Sequence, residues 1–388
     1  MNEATQPVAP SLGGIQLHCD APHELDTLQE SFLRYLKALD LDRYVQVGRE
    51  AGERGRYLRF RLDESYARDW TPDFDTTQLC RKLGLDTQGK PDDLEREILL
   101  AMLAGPIAFP FPSYEELVSG VRIRANIVEG GRKTVLAFDT EHAERPKECW
   151  EYSEQRGFTL RPGQSLIASL EKTTQPGSSG KLYSFSCYRA TEYVMLLGIA
   201  RELANCNPPL MSRLQEQWGI RAIMSGEFHD IFLHEYGSLS DPLPFKYYVP
   251  GDRLWFRNPD EHSSNVEGYE GSWVFYLGDG LFTNFWKPGQ HYTLTSKCVE
   301  LFHWRNGVYR GQDGKLQIDE DVVDERVRQS LRDPAEVAAI LEKMMRLREP
   351  AGVYVDGGCV DATREYVRCV CPGTNAMVFP GNAPPPPD

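Results

Sequence analysis

The sequence LYSFSCYRATEYVMLLGIARELA, residues 182–204, combines a short apolar run, a cysteine and a helical pattern. After the cysteine, apolar residues return at intervals of three and four, as on the buried face of an amphipathic helix. These residues are Tyr193, Leu196, Leu197, Ala200, Leu203 and Ala204. The spacing predicts a helix over residues 188–204, with Cys187 at its start.

Cys187 has the sequence environment of a reactive thiol. Backbone N–H groups and the positive end of the helix dipole favour a thiolate at a helix start, and Arg189 adds a positive charge two residues later. The alternative is a small buried apolar residue, because free cysteine is often buried. A thiol nucleophile also needs a base. Five histidines follow Cys187, and their spacing selects none of them: His229, His234, His262, His291 and His303.

The overall composition is that of an ordinary globular protein. Of 388 residues, 43 are Lys or Arg and 57 are Asp or Glu, which gives a formal net charge of -14. This charge repels phosphate backbones and acidic lipid surfaces, so neither nucleic acid nor membrane is an expected partner. We find no signal peptide pattern and no apolar run of about 20 residues. We therefore expect a soluble, cytoplasmic protein.

Changes in composition along the chain predict an α+β fold in five segments. Helical patterns dominate the second segment, and the third alternates helices with short aromatic strands. A Pro-containing connector, residues 109–112, marks the boundary between them. The segments are a disordered N-terminus 1–14, a helix-rich extension 15–108, a core 109–310, a helical and irregular C-terminal extension 311–380 and a disordered Pro-rich tail 381–388.

Other chemistry-bearing residues give weaker signals. Glu267 and Glu270 flank Gly268-Tyr269 and are candidates for a general base pair, with a solvated loop as the alternative. The nine cysteines are odd in number and scattered, which argues against a full disulfide framework. A metal site at Cys359, Cys369 and Cys371 is disfavoured, because these residues lack the usual spacing and a nearby histidine. His303, between two aromatic residues, is expected to pack in a strand.

Three motifs in register resemble a known family. The first is the cysteine stretch 182–187 with its helix. The second is PGDRLWFRNPD, residues 250–260, and the third runs from SYEEL at 113–117 to VRIRANIV at 121–128. Over roughly residues 109–310 the chain resembles the small bacterial protein-glutamine gamma-glutamyltransferases known from spore coats.

The resemblance implies a fold, a reaction and a class of partner. It implies an α+β core similar to the papain-like and NlpC/P60 cysteine hydrolases, in which the nucleophile begins a helix packed on a small antiparallel sheet. The Cys187 thiolate would attack a glutamine carboxamide, ammonia would leave, and a lysine amine would resolve the thioester into an isopeptide crosslink. Water in place of the amine would give deamidation. Proteins bearing glutamine and lysine are the implied partners, with no metal or organic cofactor; the oligomeric state is not predicted.

The chain departs from this family at three polar positions. The family has an acid directly before the cysteine, a glutamate after a glycine and a histidine at the end of the next strand, where this chain has Ser186, Ser272 and Asn284. Neither serine nor asparagine accepts a proton as a general base at neutral pH. We therefore predict Glu270 as base or amine-orienting acid, His291 as a second candidate base, and Asn284 as an orienting or oxyanion-donating group. The alternative function is an inactive binding or structural module.

Overall fold

The structure is a computed structural model that describes residues 13–19, 24–52, 55–139, 142–349 and 357–383. The segments predicted to be disordered are residues 1–14 and 381–388, and most of each, residues 1–12 and 384–388, lies outside these ranges.

The helices are α1 Leu25–Ala38, α2 Glu64–Trp70, α3 Leu79–Leu83, α4 Pro91–Leu103, α5 Tyr114–Lys133, α6 Leu166–Thr174, α7 Pro176–Ser179, α8 Cys187–Cys206, α9 Pro208–Ile220, α10 Ser225–Phe232, α11 Leu294–Gly307, α12 Glu320–Ser330 and α13 Pro334–Met344. The strands are β1 Gly14–Cys19, β2 Val45–Gly52, β3 Gly55–Leu62, β4 Ala108–Phe111, β5 Ala137–Phe138, β6 Trp150–Ser153, β7 Gly157–Leu160, β8 Ser184–Phe185, β9 Leu233–Tyr236, β10 Arg253–Arg257, β11 Gly271–Gly278, β12 Leu281–Phe282, β13 Tyr292–Thr293, β14 Val308–Arg310, β15 Leu316–Ile318 and β16 Arg364–Val367. No helix within the described ranges is long and apolar enough to cross a membrane.

An antiparallel sheet in the order β13-β12-β11-β10-β16-β9 divides the described part of the chain into two cores. Successive side chains of a strand point to opposite faces. On β11, Phe275 and Leu277 enter one core with α5 and α8, whereas Val274 and Tyr276 enter a second core with α11 and α13. Helices α8 and α11 therefore pack on opposite faces of the same sheet. The mixed α+β class predicted from the sequence is confirmed.

The N-terminal extension is mixed rather than mainly helical. Its polar stretch forms β2 and β3, which join β1 and β4 in a sheet of order β2-β3-β1-β4. Leu58, Phe60 and Leu62 alternate with arginines along β3, and all three are buried in the larger core. This period of two is a strand signal that the helix-rich interpretation of residues 15–108 did not use.

The start of α5 follows the predicted cap only in part. Ser113 Oγ accepts a hydrogen bond from the Glu116 backbone N–H at 3.2 Å. In a full capping box the glutamate side chain would return to the cap residue. Instead, the Glu116 carboxylate accepts from the backbone N–H groups of Val370 and Cys371 at 3.0 and 2.7 Å. Glu116 therefore binds the C-terminal segment to α5.

A buried ion pair joins α5 to the start of β10. Arg124 Nη1 lies 2.7 Å from Asp252 Oδ1, and the two side chains are 6% and 0% exposed. Asp252 Oδ2 also accepts from the Val249 backbone N–H at 2.8 Å and from the Tyr236 hydroxyl of β9. At Gly251, with φ +88°, an added Cβ would lie 2.8 Å from Arg124 Cα, so the close approach requires glycine. The Pro-Gly-Asp motif thus holds α5, β9 and β10 together.

Replacement of Asp252 by alanine is expected to lower the free energy of unfolding by about 3–5 kcal/mol, because the Arg124 cation would remain buried without its partner. Urea unfolding followed by tryptophan fluorescence measures the change. Glu129→Ala is the matched control on α5, since Glu129 and its partner Lys133 are about half exposed, and we expect it to cost less than about 1 kcal/mol. Equal losses in the two variants would contradict the role of the buried pair.

A buried carboxyl group joins the N-terminal extension to the β11–β12 hairpin. Glu97 of α4 is 0% exposed and accepts from the Asp279 backbone N–H at 3.0 Å and from the Tyr276 hydroxyl at 3.1 Å. Burial raises the pKa of Glu97 to about 7, although hydrogen bonds from Cys80, Asp279 and Tyr276 act in the opposite direction. The folded protein therefore holds this proton more tightly than the unfolded chain.

This raised pKa predicts a pH-dependent stability. Between pH 4.5, the ordinary pKa of a glutamate, and about pH 7, the folded state keeps a proton that the unfolded state has released. The contribution of Glu97 to stability therefore falls as the pH rises through this window. Glu97→Gln is expected to reduce the loss in urea midpoint between about pH 5 and pH 8, whereas Asp92→Asn, at an exposed position of α4, should leave it unchanged. An unaltered pH dependence in Glu97→Gln would contradict this assignment.

Candidate active site

Cys187 is the first residue of α8. The chain reaches it through β8, which pairs in parallel with β5 and places Phe185 opposite Phe138. Ser186 caps the helix, because its Oγ accepts from the Arg189 backbone N–H at 3.3 Å. The Cys187 side chain is half-buried. The helix predicted over residues 188–204 therefore exists, and it includes the cysteine.

A backbone amide of β11 acts on the thiol. Among the groups that lower the pKa of the Cys187 thiol, the Trp273 backbone amide has the largest effect. Alternate N–H groups of a strand point to the same side, and two residues further along the Phe275 backbone N–H donates to Thr283 Oγ1 at 2.9 Å. The Trp273 and Phe275 amides therefore face the same side of β11.

The thiol is held in its neutral form by burial. Burial raises the pKa of Cys187 above its ordinary value, and the Trp273 amide, the charge of Lys297 and the first amides of α8 lower it by less. Arg189 does not supply the charge expected from the sequence, because its guanidinium pairs with the buried carboxylate of Glu192. The expected thiolate at neutral pH is therefore not the resting state of this cysteine.

Tyr188, the second residue of α8, fastens the helix to the central sheet. Its ring meets the Trp273 ring edge-on with centroids 5.2 Å apart, and the Arg253 guanidinium lies 5.0 Å from its centroid. Arg253 is 1% exposed and pairs with Glu365 of β16. Glu365 Oε1 also lies 3.5 Å from His229 Nε2. Two sequence motifs, the cysteine stretch and residues 250–260, therefore meet at the helix start.

Comparison with known protein families identifies the chain. A family model described as protein-glutamine gamma-glutamyltransferase matches residues 75–378, which is more than half of the sequence. The chain belongs to the protein-glutamine gamma-glutamyltransferase family. The matched range contains Cys187 and all three motifs on which the resemblance was based.

Two relatives in the transglutaminase family show the extent of the similarity. The protein-glutamine gamma-glutamyltransferase of Halalkalibacterium halodurans is 25% identical over 201 residues, which are 49% of this chain and 62% of that protein. The alignment thus spans less than two thirds of that relative. A solved structure, the transglutaminase from Geobacillus stearothermophilus without its C-terminal extension, has 19% identity and a TM-score of 0.38 over 55% of this chain and 98% of that one. The assignment to the family rests on the family match over residues 75–378.

The two predicted bases of this transglutaminase family member lie in different surroundings. Glu270 is exposed, and its carboxylate accepts from the Gly268 N–H at 3.4 Å. His291 is half-buried, and burial, together with the charge of Arg132, lowers its pKa. Its Nδ1 has no hydrogen-bond partner among the described residues. Neither residue is among the groups that most strongly affect the pKa of the Cys187 thiol.

The three residues predicted to replace the family's acids and base have ordered polar side chains. Ser186 is the helix cap. Ser272 is 8% exposed and lies opposite Phe256 in the β10–β11 pair. Asn284 is 4% exposed, and its Oδ1 accepts from the Trp286 backbone N–H at 3.1 Å. These hydroxyl and amide groups donate and accept hydrogen bonds but do not titrate near neutral pH.

The remaining candidates have structural or exposed surroundings. His303 lies in α11 and not in the predicted strand, and its Nε2 is 2.7 Å from Ser330 Oγ. Phe302 and Trp304, the aromatic residues beside it, belong to a helix that packs on the second core. Two apolar residues that flank one polar residue fit either a helix or a strand, so the sequence could not distinguish the two. His234 of β9 stacks on a tyrosine ring at 5.4 Å. Glu267 and His262 are exposed in the loop between β10 and β11.

Lys297 was not predicted from the sequence, but its positive charge lowers the pKa of the Cys187 thiol. It lies on α11, its side chain is 3% exposed, and its Nζ is 2.6 Å from Glu300 Oε2. A lysine and a glutamate three residues apart on a helix usually form an exposed pair. The only hint of burial in the sequence is that Cys298 and Val299 follow directly.

The raised pKa of Cys187 predicts how fast the thiol is alkylated. Because only the thiolate reacts, carbamidomethylation by iodoacetamide is expected to be slow near pH 7 and still rising above about pH 9. The rate is measured by mass spectrometry of the Cys187 peptide after digestion, with Cys187→Ser as the unlabelled control. A rate already at its plateau at pH 7 would contradict the effect of burial.

Proposed function

We propose that the chain is a cysteine-dependent protein-glutamine gamma-glutamyltransferase with Cys187 as the nucleophile. The Cys187 thiolate attacks the carboxamide carbon of a glutamine side chain and forms a C–S bond. The C–N bond breaks, and the nitrogen takes up a proton and leaves as ammonia. A lysine amine then attacks the thioester, loses a proton as the new C–N bond forms, and releases the thiolate. The proton taken up in the first half equals the proton lost in the second.

The observation that carries this proposal is the position of Cys187 at the start of α8 against the edge of β11. The Trp273 amide and the first amides of α8 lower the pKa of the thiol, and we propose that the oxyanion that forms next to the sulfur develops close to these backbone donors. We assign Asn284 to the same role. Its Oδ1 is already engaged by the Trp286 N–H at 3.1 Å, which leaves the NH2 group of the side chain as the donor.

The base and the amine-orienting acid are assigned by protonation state and exposure. His291 is the candidate base, because burial lowers its pKa and a neutral imidazole is the form that accepts a proton. Glu270 is exposed, which suits a carboxylate that attracts a lysine ammonium arriving from solvent. Both roles are proposals for the complex with substrate, in which hydrogen bonds tighten.

The core would then have the arrangement of the papain-like and NlpC/P60 cysteine hydrolases. The packing of α8 on the antiparallel strand β11 supports this arrangement. The proposed substrates are proteins with accessible glutamine and lysine side chains, and water in place of the amine gives deamidation. The proposed reaction uses no metal or organic cofactor. A cytoplasmic location remains a prediction.

Replacement of Cys187 by alanine is expected to abolish both halves of the reaction, because the sulfur that forms the thioester is lost. The purified protein is incubated with a glutamine-containing acceptor protein and a labelled primary amine, and both label incorporation and ammonia release are measured. Cys206→Ala is the matched control, since Cys206 is a half-buried free thiol at the other end of the same helix, and we expect it to retain activity.

Each outcome of this assay has a distinct meaning. Incorporation that depends on Cys187 supports the transferase, and ammonia release without incorporation supports deamidation by the same thiol. No Cys187-dependent signal with several acceptor proteins and across pH would overturn the proposal. That result would favour the alternative, a family member that acts as a binding or structural module.

A further inference from the structure

Two cysteines that the proposed reaction does not use are in contact in the second core. Cys298 of α11 and Cys359 of the C-terminal extension are free thiols, and both are 0% exposed. Their Sγ atoms are 3.6 Å apart, although the residues are 61 positions apart in the sequence. A single buried cysteine acts as a small apolar residue. Two thiols in contact can also react with each other.

Main-chain contacts hold Cys359 in this place from two sides. Its N–H donates to the carbonyl oxygen of Met344 in α13 at 3.0 Å, and its own carbonyl oxygen accepts from the Arg257 N–H of β10 at 2.8 Å. At the preceding residue, Gly358, an added Cβ would lie 2.0 Å from the Leu347 carbonyl oxygen, so this close approach requires glycine. The place of Cys359 beside α11 is therefore set by its backbone.

Only a small movement separates the two thiols from a disulfide. The bond between two disulfide sulfur atoms is about 2.05 Å long, so these sulfur atoms need to approach by about 1.5 Å. Rotation of each side chain about its Cα–Cβ bond moves the sulfur on this scale while the backbone stays in place. Both sulfur atoms belong to ordered elements of one core, so they meet far more often than free thiols in solution.

Burial of the pair determines which oxidants can act on it. Burial raises the pKa of Cys359 well above its ordinary value, and the contact with the Cys298 thiol adds to this effect. Because the thiolate is the reactive form, the first oxidation is slow. Hydrogen peroxide is small and uncharged, and it can enter when the core opens locally. After one sulfur is oxidised, the other is already in contact with it.

We propose that Cys298 and Cys359 are an oxidation site that forms a disulfide when the folded protein meets a peroxide. One thiol attacks a peroxide oxygen, the O–O bond breaks, and a sulfenic acid and water form. The second sulfur then attacks the sulfenic sulfur, the S–O bond breaks, and the oxygen leaves as water with the proton of the second thiol. The two sulfur atoms together lose two electrons, which the peroxide gains. The proposal is independent of the glutamine reaction.

The disulfide would fasten the C-terminal extension to the sheet that carries the candidate active site. The loop that it closes, residues 298–359, contains β14, β15, α12 and α13, and β16 begins shortly after it at Arg364. β16 pairs with β10. A crosslink across so long a loop restricts the unfolded chain and so stabilises the folded one. Disulfides of cytosolic proteins are usually transient and redox-sensing, which is the behaviour we expect of this pair.

The experiment treats the reduced, native full chain with hydrogen peroxide, blocks the remaining thiols with iodoacetamide in urea and digests the protein with trypsin without a reductant. The expected product is a disulfide that joins the tryptic peptides 298–305 and 349–364. Its mass is lower than the sum of the two peptides by the hydrogens of the two thiols. Dithiothreitol is expected to separate the peptides again.

Cys298→Ala and Cys359→Ala are each expected to lose this product. Cys149→Ala is the matched control and should retain it, because Cys149 is also a buried free thiol, 3% exposed, but packs in the larger core. The wild-type measurement needs no variant, so the test remains decisive where a variant does not fold. Absence of the joined peptides from peroxide-treated wild type, or joining of either cysteine to a third one instead, would overturn the proposal.

The stabilising effect is tested by urea unfolding of the same samples. The crosslinked wild type is expected to have a higher urea midpoint than the reduced protein, and dithiothreitol should restore the lower value. Cys298→Ala should have the same midpoint before and after peroxide. Restoration by dithiothreitol separates the disulfide from methionine oxidation, because methionine sulfoxide is reversed by dedicated reductases. Equal midpoints in the crosslinked and reduced wild type would reject the fastening of the C-terminal extension.

Discussion

The buried ion pair between Arg124 and Asp252 is the constraint on which the site depends. A charge of either sign is costly to remove from water, and this pair offsets the cost with short contacts: Asp252 receives one hydrogen bond from Arg124 at 2.7 Å and one from the Val249 backbone at 2.8 Å. The pair fixes α5 against β10. The next residue, Arg253, then lies on the ring of Tyr188 at the start of α8. Asp252 and Arg253, which are adjacent in the sequence, thus connect α5 and β10 to the start of the helix that carries Cys187.

The environment of Cys187 is a balance of opposing effects. Burial disfavours the thiolate, whereas the Trp273 amide, the first turn of α8 and the Lys297 ammonium favour it. A neutral resting thiol is less prone to oxidation than an exposed thiolate.

Local sequence patterns predicted the elements that carry the site. Periodicity predicted α8. Ser and Asp are residue types that favour helix caps, and Ser113 and Asp333 cap α5 and α13. Glycines favour turns, and at residues 278–280 Asp279, which lies between two glycines, adopts φ 53°. Hydrophobic periodicity gave the wrong element where a short run of residues fits both the helical period of 3.6 and the strand period of 2. The stretch around His303 was expected in a strand, and β3 was not predicted as a strand, because alternating arginines obscure a buried face until a partner strand is present.

What the sequence by itself determined is local: the helix that begins at Cys187, the caps, the turns and the family to which the motifs belong. Each depends on residues a few positions apart, whose preferences act before the chain is folded. The tertiary structure alone decided which groups surround the sulfur. Trp273 and Lys297 are 86 and 110 positions beyond Cys187, and neither residue type at those positions signals chemistry. Their effect on the pKa of the thiol exists only after folding, because electrostatic interactions weaken with distance and in water.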